Sequence, residues 1–526
     1  MDDIEDILKI KGKRSAIAAC NSSCSEMSYT KRHKLRKKNT KSNSGVLVVT
    51  VVLAPSQFSC SHDCSYCPNQ PGTARSYLDN EPAVARGKQV NYDAIGQMNS
   101  RLNTLRENGH MVQKVEIIVL GGTFSDYPRH YQEKFITDLF FAANIYNSNI
   151  TRDIGTILDE QKINETSLCR IIGISLETRP DKITKHELMR FRKLGCTRVQ
   201  IGVQHINNTI LDGVNRGHTV EQSIKAIALL RNYGFKIDIH VMPDLPGSNP
   251  ELDKHMLETV LNNGNFSPDY MKIYPCLDVE YTEIRQWKQS GKWKPYAEAD
   301  DGTNILNVCL HAKIHSKYYT RFNRIQRDFC MESIEKGIIG YQSNNIRTNF
   351  RQQLLEKAHS LGITCKCIRC REVRQNTLQP FTIFVDKYNA ANGTEYYISA
   401  TSHNRNILYG FIRLRLSKDN YKHYAFIREL HVYGNICEVG QKSNQCVQHN
   451  GIGKLLLSIA EMYCILNFTQ HLAIISGVGV REYYKKFGYT FTNDGFYMTK
   501  KLNILITFYF FIRCFLNYFF NNAFFC

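Results

Sequence analysis

Along the first half of the chain, short apolar runs alternate with longer stretches in which apolar residues return every third or fourth position. Val46 to Leu53, Val115 to Leu120, Ile171 to Leu176, Val199 to Val203, Phe235 to Val241 and Met271 to Tyr274 have the length and composition of buried strands, and segments between them, such as Gln222 to Tyr233, have helical periodicity. Strand and helix in alternation predict an α/β fold: a parallel sheet with right-handed crossovers, here a partial (βα)6 barrel over residues 45–299 rather than a closed eight-stranded one. In such sheets ligands gather where the C-terminal ends of the strands meet the loops that follow. A second α/β pattern occupies residues 376–501, where strands at Tyr396 to Ala400, Leu408 to Leu416 and Ala425 to Val432 precede a helix with Leu455, Leu456, Ile459 and Met462 on its apolar face. Residues 300–375 read as a mixed helical junction, residues 1–44 have little hydrophobic periodicity, and residues 502–526 are dominated by Phe, Leu and Ile.

Charge narrows the class of partner. Lys and Arg exceed Asp and Glu by 67 to 48 in 526 residues, a formal net charge of +19, which suits RNA, DNA or an anionic membrane surface better than a small neutral substrate. Lys31 to Lys41 packs seven basic residues into eleven positions. Such a run is a solvated, flexible arm that can also neutralise phosphates. Arg321, Arg324, Arg327, Arg347 and Arg351 add a basic face to the junction, where a bound RNA would lie. The 18 cysteines do not read as a disulfide framework, because six of them stand in two tight triads and no signal peptide precedes them. Metal ligation in a reducing compartment is the expectation.

The first triad, Cys60, Cys64 and Cys67 in CSHDCSYC, follows the first strand with the spacing CxxxCxxC. Three thiolates on a short loop can hold three corners of a 4Fe-4S cluster and leave the fourth iron open for chemistry. A cluster loop after the first strand is how radical S-adenosylmethionine enzymes begin; a zinc knuckle or scattered structural thiols are the alternatives. Several later strands end in polar or glycine residues: Gly121 and Gly122, which would face the methionine moiety of the cofactor, Glu177 in LETRPD, suited to a ribose or an ammonium, Gln204 and His205, His240, and Lys272 with Tyr274. The second triad, Cys365, Cys367 and Cys370 in CKCIRC, is too compact for internal disulfides and suits one tetrahedral zinc, with reduced thiols as the alternative. In the C-terminal domain Gln448, Gly451 and Gly453 form a QxxGxG loop leading into a helix, which presents amides and a positive dipole end to a pyrophosphate. This is a GNAT acetyl-coenzyme A signature, and Tyr483 and Tyr484 stand on what resembles the late GNAT helix near the thioester.

From Gly45 to Lys500 the chain closely resembles the catalytic subunit of Elongator, through EIIVLGGTF (116–124), GISLETRPD (173–181), NRGHTV (215–220), HVMPDLPG (240–247), CIRCREV (367–373), IRELHVYG (427–434), HNGIGKLLL (449–457) and ISGVGVREYYKKFGY (475–489). The resemblance implies a tRNA uridine 5-carboxymethyltransferase acting on the wobble uridine, with a radical SAM barrel followed by a GNAT domain. It implies that Cys60, Cys64 and Cys67 hold the cluster, and that Lys114, Glu429, Leu430, His431, Val432, Ile452, Gly453, Lys454 and Tyr484 contact acetyl-coenzyme A. A 5′-deoxyadenosyl radical would abstract hydrogen from the acetyl methyl group, and the resulting carbon radical would add to C5 of a uridine splayed out of its anticodon stem loop. Other Elongator subunits and a homodimer are the implied protein partners, in the cytoplasm with a nuclear pool. The chain departs from these relatives at the cluster loop, which continues as Pro68, Asn69 and Gln70 in place of a proline and a glycine pair, and at Glu280 and Tyr281, where a basic residue and a glycine are expected.

Residues 502–526 fall outside the resemblance and are about long enough to span a bilayer, with Lys500 and Lys501 before them and Arg513 at the centre. A C-terminal membrane anchor in an organelle membrane is the expectation for this tail, and an interfacial helix the alternative. Rival functions for the whole chain are a lysine acetyltransferase acting on histone or tubulin with a structural radical SAM domain, and a non-catalytic RNA-binding scaffold.

Overall fold

The alternating first half closes into a single parallel sheet of seven strands in chain order: β1 (Leu47–Val52), β2 (Lys114–Leu120), β3 (Arg170–Thr178), β4 (Cys196–Gln204), β5 (Lys236–Val241), β6 (Tyr270–Ile273) and β7 (Arg321–Ile325). This computed structural model describes residues 44–57, 60–327, 349–374, 377–434 and 450–522. One more strand is present than the periodicity predicts, and it lies inside the stretch read as a junction. Among the described residues β7 pairs with β6 alone, and its sequence RFNRI keeps polar residues on one face, so it lacks the continuous apolar run of a central strand.

The burial of β2 shows how the barrel is layered. Val115, Ile117 and Val119 are fully buried beneath the helices Ala94–Glu107 and Arg129–Ile145, whereas Lys114, Glu116, Ile118 and Leu120 are half-buried on the concave side. The outer layer is apolar and the concave lumen is polar. Hydrogen bonds and ion pairs cross that lumen from strand to strand: Arg198 to Glu116 at 3.0 Å, Arg198 and Gln200 to the Ser175 hydroxyl at 3.1 and 2.9 Å, Lys272 to Gln200, and Asn323 to Asp238 at 2.7 Å.

The second domain is a mixed sheet in the order β13-β14-β12-β11-β10-β9-β8, with β8 (Thr382–Ala390), β9 (Gly393–Thr401), β10 (Leu408–Leu416), β11 (Ala425–Val432), β12 (His471–Ile474), β13 (Thr490–Phe491) and β14 (Met498–Lys501). Its one parallel pair, β11 with β12, is joined from Ala425 to Ile427, and beyond that ladder β11 runs on as far as Val432, leaving a gap between the two strands. The gap so opened receives the N-terminal turn of the helix Ile452–Leu466.

The two domains are locked by a buried ion network. Arg428 is bidentate to Asp269 (2.6 and 2.7 Å) and also bonds Glu395; Arg231 and Arg415 bond Glu395 from either side (3.1 and 3.3 Å); Arg413 bridges Asp269 (3.4 Å) and Glu429 (2.9 Å). Charges out of water are costly unless each is paired and hydrogen-bonded, which is the case for every carboxylate here. Asp269 precedes β6 and the Arg428 guanidinium also reaches the Phe235 carbonyl ahead of β5. Gly477 lies so close to the start of β3 that a Cβ there would stand 1.9 Å from the Ile172 carbonyl oxygen. The second domain therefore docks on the N-terminal ends of the barrel strands, opposite the cysteine loop.

The apolar tail is a helix, Ile504–Asn522, laid against the helix Ile452–Leu466. Thr507 and Cys514 are buried in that contact, and Phe510 packs 6.0 Å from Phe487. The expected membrane anchor is not met: among the described residues no helix is long and apolar enough to cross a membrane. Arg513 and four asparagines in residues 502–526 dilute the apolar run.

Candidate active site

The cysteine loop is held from three sides. The Ser65 amide donates to the Val214 carbonyl (3.0 Å), the Ser65 hydroxyl to Glu283 (2.7 Å), and the Ile284 amide to the Ser65 carbonyl (3.0 Å). Arg179 and Arg216 bring their guanidinium groups to 3.8 and 3.6 Å from the Cys64 sulfur. Two cations there offset the negative charge that a set of metal-bound thiolates concentrates. Arg179 is itself fixed by Asp181 (2.9 Å) and the Arg216 carbonyl (2.7 Å). Arg216 reaches Cys64 across Gly202, where a Cβ would stand 2.7 Å from its Nη2, and His62 rests on Gly217, where a Cβ would fall 2.3 Å from Nδ1. Burial pushes the Cys67 thiol up, the neighbouring Cys64 adds to this, and Arg75 opposes it.

The sulfurs of Cys60, Cys64 and Cys67 are not drawn together around a point. Among the described residues, sets of three donors all within 4.8 Å of one another occur elsewhere, at Cys365, Cys367 and Cys370 and at Glu258, His311 and His315. A four-iron cube spreads its thiolates wider than a single ion does.

Around this loop, the C-terminal ends of the strands form a polar mouth. Gly121 (φ +141°) has no room for a side chain, since a Cβ would stand 2.9 Å from Leu53 Cβ. Glu177 accepts a hydrogen bond from Tyr77 (2.8 Å), and burial pushes its carboxyl up against the pull of Lys272. Burial, reinforced by Lys272, holds the His240 imidazole well below its usual range and therefore neutral. Gln204 and Asp244 take left-handed backbone (φ +68° and +65°) at the ends of β4 and β5, a conformation that costs non-glycine residues free energy. The buried Gln204 Oε1 and His240 Nε2 have no partner among the described residues. Each such atom costs about 1–3 kcal/mol unless a ligand supplies the partner. His205 belongs elsewhere: it is bonded to Asp253 (3.2 Å) and to the Asn207 amide (3.1 Å) beneath the loop.

The residues that the resemblance assigns to the acyl coenzyme lie at the other end. Gly451 (φ +82°) caps the helix Ile452–Leu466, and a Cβ on Gly453 would stand 3.0 Å from the Tyr483 hydroxyl and 3.6 Å from Val432 Cγ2. Val432, Gly453 and Tyr483 thus converge at the β11 gap. Tyr484 and Ile452 turn into the domain core with Tyr489, and burial pushes the Tyr484 hydroxyl up. The Glu429 side chain is taken by Arg413 and Tyr270, the His431 ring by the Ser44 carbonyl (2.9 Å) and Phe411, and Leu430 packs on the core. Lys454 lies 5.5 Å from the Phe510 ring of the tail helix. Lys114 opens β2 at the N-terminal end of the barrel, its ammonium pulled below the usual range by burial and by Arg170. Gln448 and residues 1–43 lie outside the described residues. Arg179, Arg216 and His218 were not singled out by sequence reasoning, although LETRPD and NRGHTV carry them.

In the junction, Cys365 donates to Ser316 (3.4 Å) and Lys313 reaches the Cys370 sulfur (3.4 Å). Hydrogen bonds from Cys365 and Cys367 hold the Cys370 thiol far below its usual range, whereas burial pushes Cys367 up. Three sulfurs all within 4.8 Å of one another are a set that can bind one metal ion.

Comparison with known proteins agrees with this geometry. Residues 55–259 match the Radical SAM superfamily. The chain is 36% identical to the tRNA uridine(34) acetyltransferase of Methanocaldococcus jannaschii, over 89% of this chain and 86% of that protein, and 34% identical to Elongator complex protein 3 of Homo sapiens, over the same shares. Among solved structures, archaeal Elp3 of Methanocaldococcus infernus with an N-terminal deletion is similar at a TM-score of 0.73 and 33% identity, covering 87% of this chain and all of that one.

Proposed function

This chain belongs to the family of the tRNA uridine(34) acetyltransferases and Elongator complex protein 3, and from that premise we propose that it modifies C5 of the wobble uridine in tRNA anticodons with an acetyl-derived carboxymethyl group. What supports the proposal is that the Cys60 to Cys67 loop lies at the C-terminal ends of the barrel strands, while the turn of Gly451 and Gly453 belongs to the domain docked on their N-terminal ends. β2 has seven residues, so the ends are roughly 20 Å apart, and hydrogen-bonding side chains line the way between them.

Cys60, Cys64 and Cys67 would hold a 4Fe-4S cluster, with Arg179 and Arg216 offsetting its charge. When bound, the cluster supplies the electron that starts S-adenosylmethionine cleavage. Gly122 would bring its backbone to the methionine moiety, Gln204 and His240 offer the mouth's unpartnered polar atoms, and Glu177, bonded to Tyr77, offers a carboxylate. Gly451, Gly453, Val432 and Tyr483 would cradle acetyl-coenzyme A, and the lumen would lead its acyl arm toward the mouth. Cys365, Cys367 and Cys370 are assigned to one structural zinc. The basic surplus favours tRNA as polyanion, and further Elongator-type subunits as protein partners. The readings as lysine acetyltransferase or RNA scaffold draw no support from the relatives.

The test is Cys64→Ser in the full chain, reconstituted anaerobically. S-adenosylmethionine cleavage and tRNA modification should fall below detection while acetyl-coenzyme A still binds. Modified uridine formed by that variant would overturn the radical assignment.

A further inference from the structure

Outside both half-sites, two histidines and a carboxylate meet on the back of the barrel. His311 lies in the last turn of the helix Thr303–Ile314, and His315 caps that helix one turn on. Glu258 faces them from the helix Pro250–Asn262. His311 Nε2 is 3.1 Å from Glu258 Oε2, His315 Nδ1 is 3.7 Å from Glu258 Oε1, and the two imidazole rings lie 4.3 Å apart. One ligand atom from each residue falls within 4.8 Å of the others, and all three side chains are half-buried, open to solvent on one side.

We propose that Glu258, His311 and His315 form a binding site for one divalent transition-metal ion, zinc by preference, with water in the remaining position. Three arguments support it. Ligands about 2.0–2.1 Å from a tetrahedral zinc stand about 3.4 Å from one another, close to the 3.1 Å between His311 Nε2 and Glu258 Oε2, and His315 Nδ1 lies 3.7 Å from the other carboxylate oxygen. Histidines four apart on one helix put both imidazoles on one face, and a carboxylate from the neighbouring helix supplies negative charge that a pair of imidazoles lacks. The open side gives the ion a way in. The bound ion would pin the helix that leads into β6 to the helix that leads into β7. Those are the strands that carry Lys272 and the Arg321–Ile325 edge, so the clamp acts on one wall of the lumen.

The experiment uses chelator-washed full-length protein titrated with Co2+ under anaerobic conditions. A nitrogen and oxygen site gives visible d–d bands without the near-ultraviolet charge-transfer band of thiolate ligands, so it is distinguishable from both cysteine sets. Wild type should bind one more equivalent than His315→Ala and than Glu258→Gln, and the thiolate-free bands should disappear in both variants. As a measurement needing no variant, Zn2+ should reduce carbethoxylation of His311 and His315 at least several-fold in peptide mass spectra. Equal metal stoichiometry in wild type and both variants, or unchanged modification of both histidines with Zn2+ present, would overturn the proposal.

Discussion

Arg428 and Asp269 meet in a two-pronged ion pair, Nη1 to Oδ2 at 2.6 Å and Nη2 to Oδ1 at 2.7 Å, with both side chains wholly shut off from water. The pair joins β11 of one domain to the start of β6 of the other, and Arg413 and Glu395 extend it. Buried guanidinium groups hold the Asp269 carboxyl well below the usual carboxylate range although burial alone would raise it.

Arg428→Ala should therefore cost about 3–5 kcal/mol, because it leaves the buried Asp269 with only the longer contact to Arg413 and takes one of three guanidinium partners from Glu395. Chemical denaturation is the check. A loss under 1 kcal/mol would mean that water enters the interface and takes over the pairing.

The Asn69 amide donates to the Tyr281 carbonyl at 3.0 Å, so the two loops in which this chain departs from its relatives touch each other. Tyr281 holds φ +63° and is half exposed, a left-handed conformation at a position where glycine is expected. Tyr281→Gly should stabilise the protein by about 1 kcal/mol, the relieved strain being partly offset by glycine's greater freedom when unfolded. A lower thermal midpoint would show that the tyrosine ring contributes packing that outweighs the strain.

Burial pushes the Asp244 carboxyl up to about 8, against the Tyr296 and Ala297 amides that donate to it at 3.0 Å each. The folded state thus keeps a proton that the unfolded chain releases near pH 4. This group's cost is absent below about pH 4, grows as pH rises to about 8 and is constant above, on the order of a few kcal/mol in all. Asp244→Asn should flatten the fall in stability between pH 5 and 8, as read by denaturant midpoints at each pH (about 1.4 kcal/mol per pH unit at most).

The tail helix lies over the proposed coenzyme loop, with Phe510 5.5 Å from Lys454 Nζ. Truncation after Leu502 should uncover Lys454 and Tyr483 and tighten acetyl-coenzyme A binding several-fold in calorimetric titration. Unchanged affinity would place the helix clear of the coenzyme's path.

Much of the architecture was legible because its signals are local. The apolar runs from Val46 to Tyr274 became strands within one to three residues, and Gly451 with Gly453 marked the loop that the β11 gap receives. β7 was missed because an edge strand with one polar face carries no apolar run. The cysteine spacing announced a metal loop, but nothing nearby in sequence names Arg179 and Arg216, which lie 115 and 152 residues from Cys64.

By itself, then, the sequence determined the two α/β domains, the thiolate triads and the glycine loop, since each depends on periodicity or spacing within a few residues. Tertiary structure alone decided that the second domain docks on the N-terminal ends of the strands, that Tyr483 and not Tyr484 turns toward Gly453, and that Glu429, 159 residues from Tyr270, pairs across the interface. It also turned the tail onto the protein instead of away from it. Those outcomes follow from how buried charges find partners and how two surfaces fit, quantities that no local window of the chain contains.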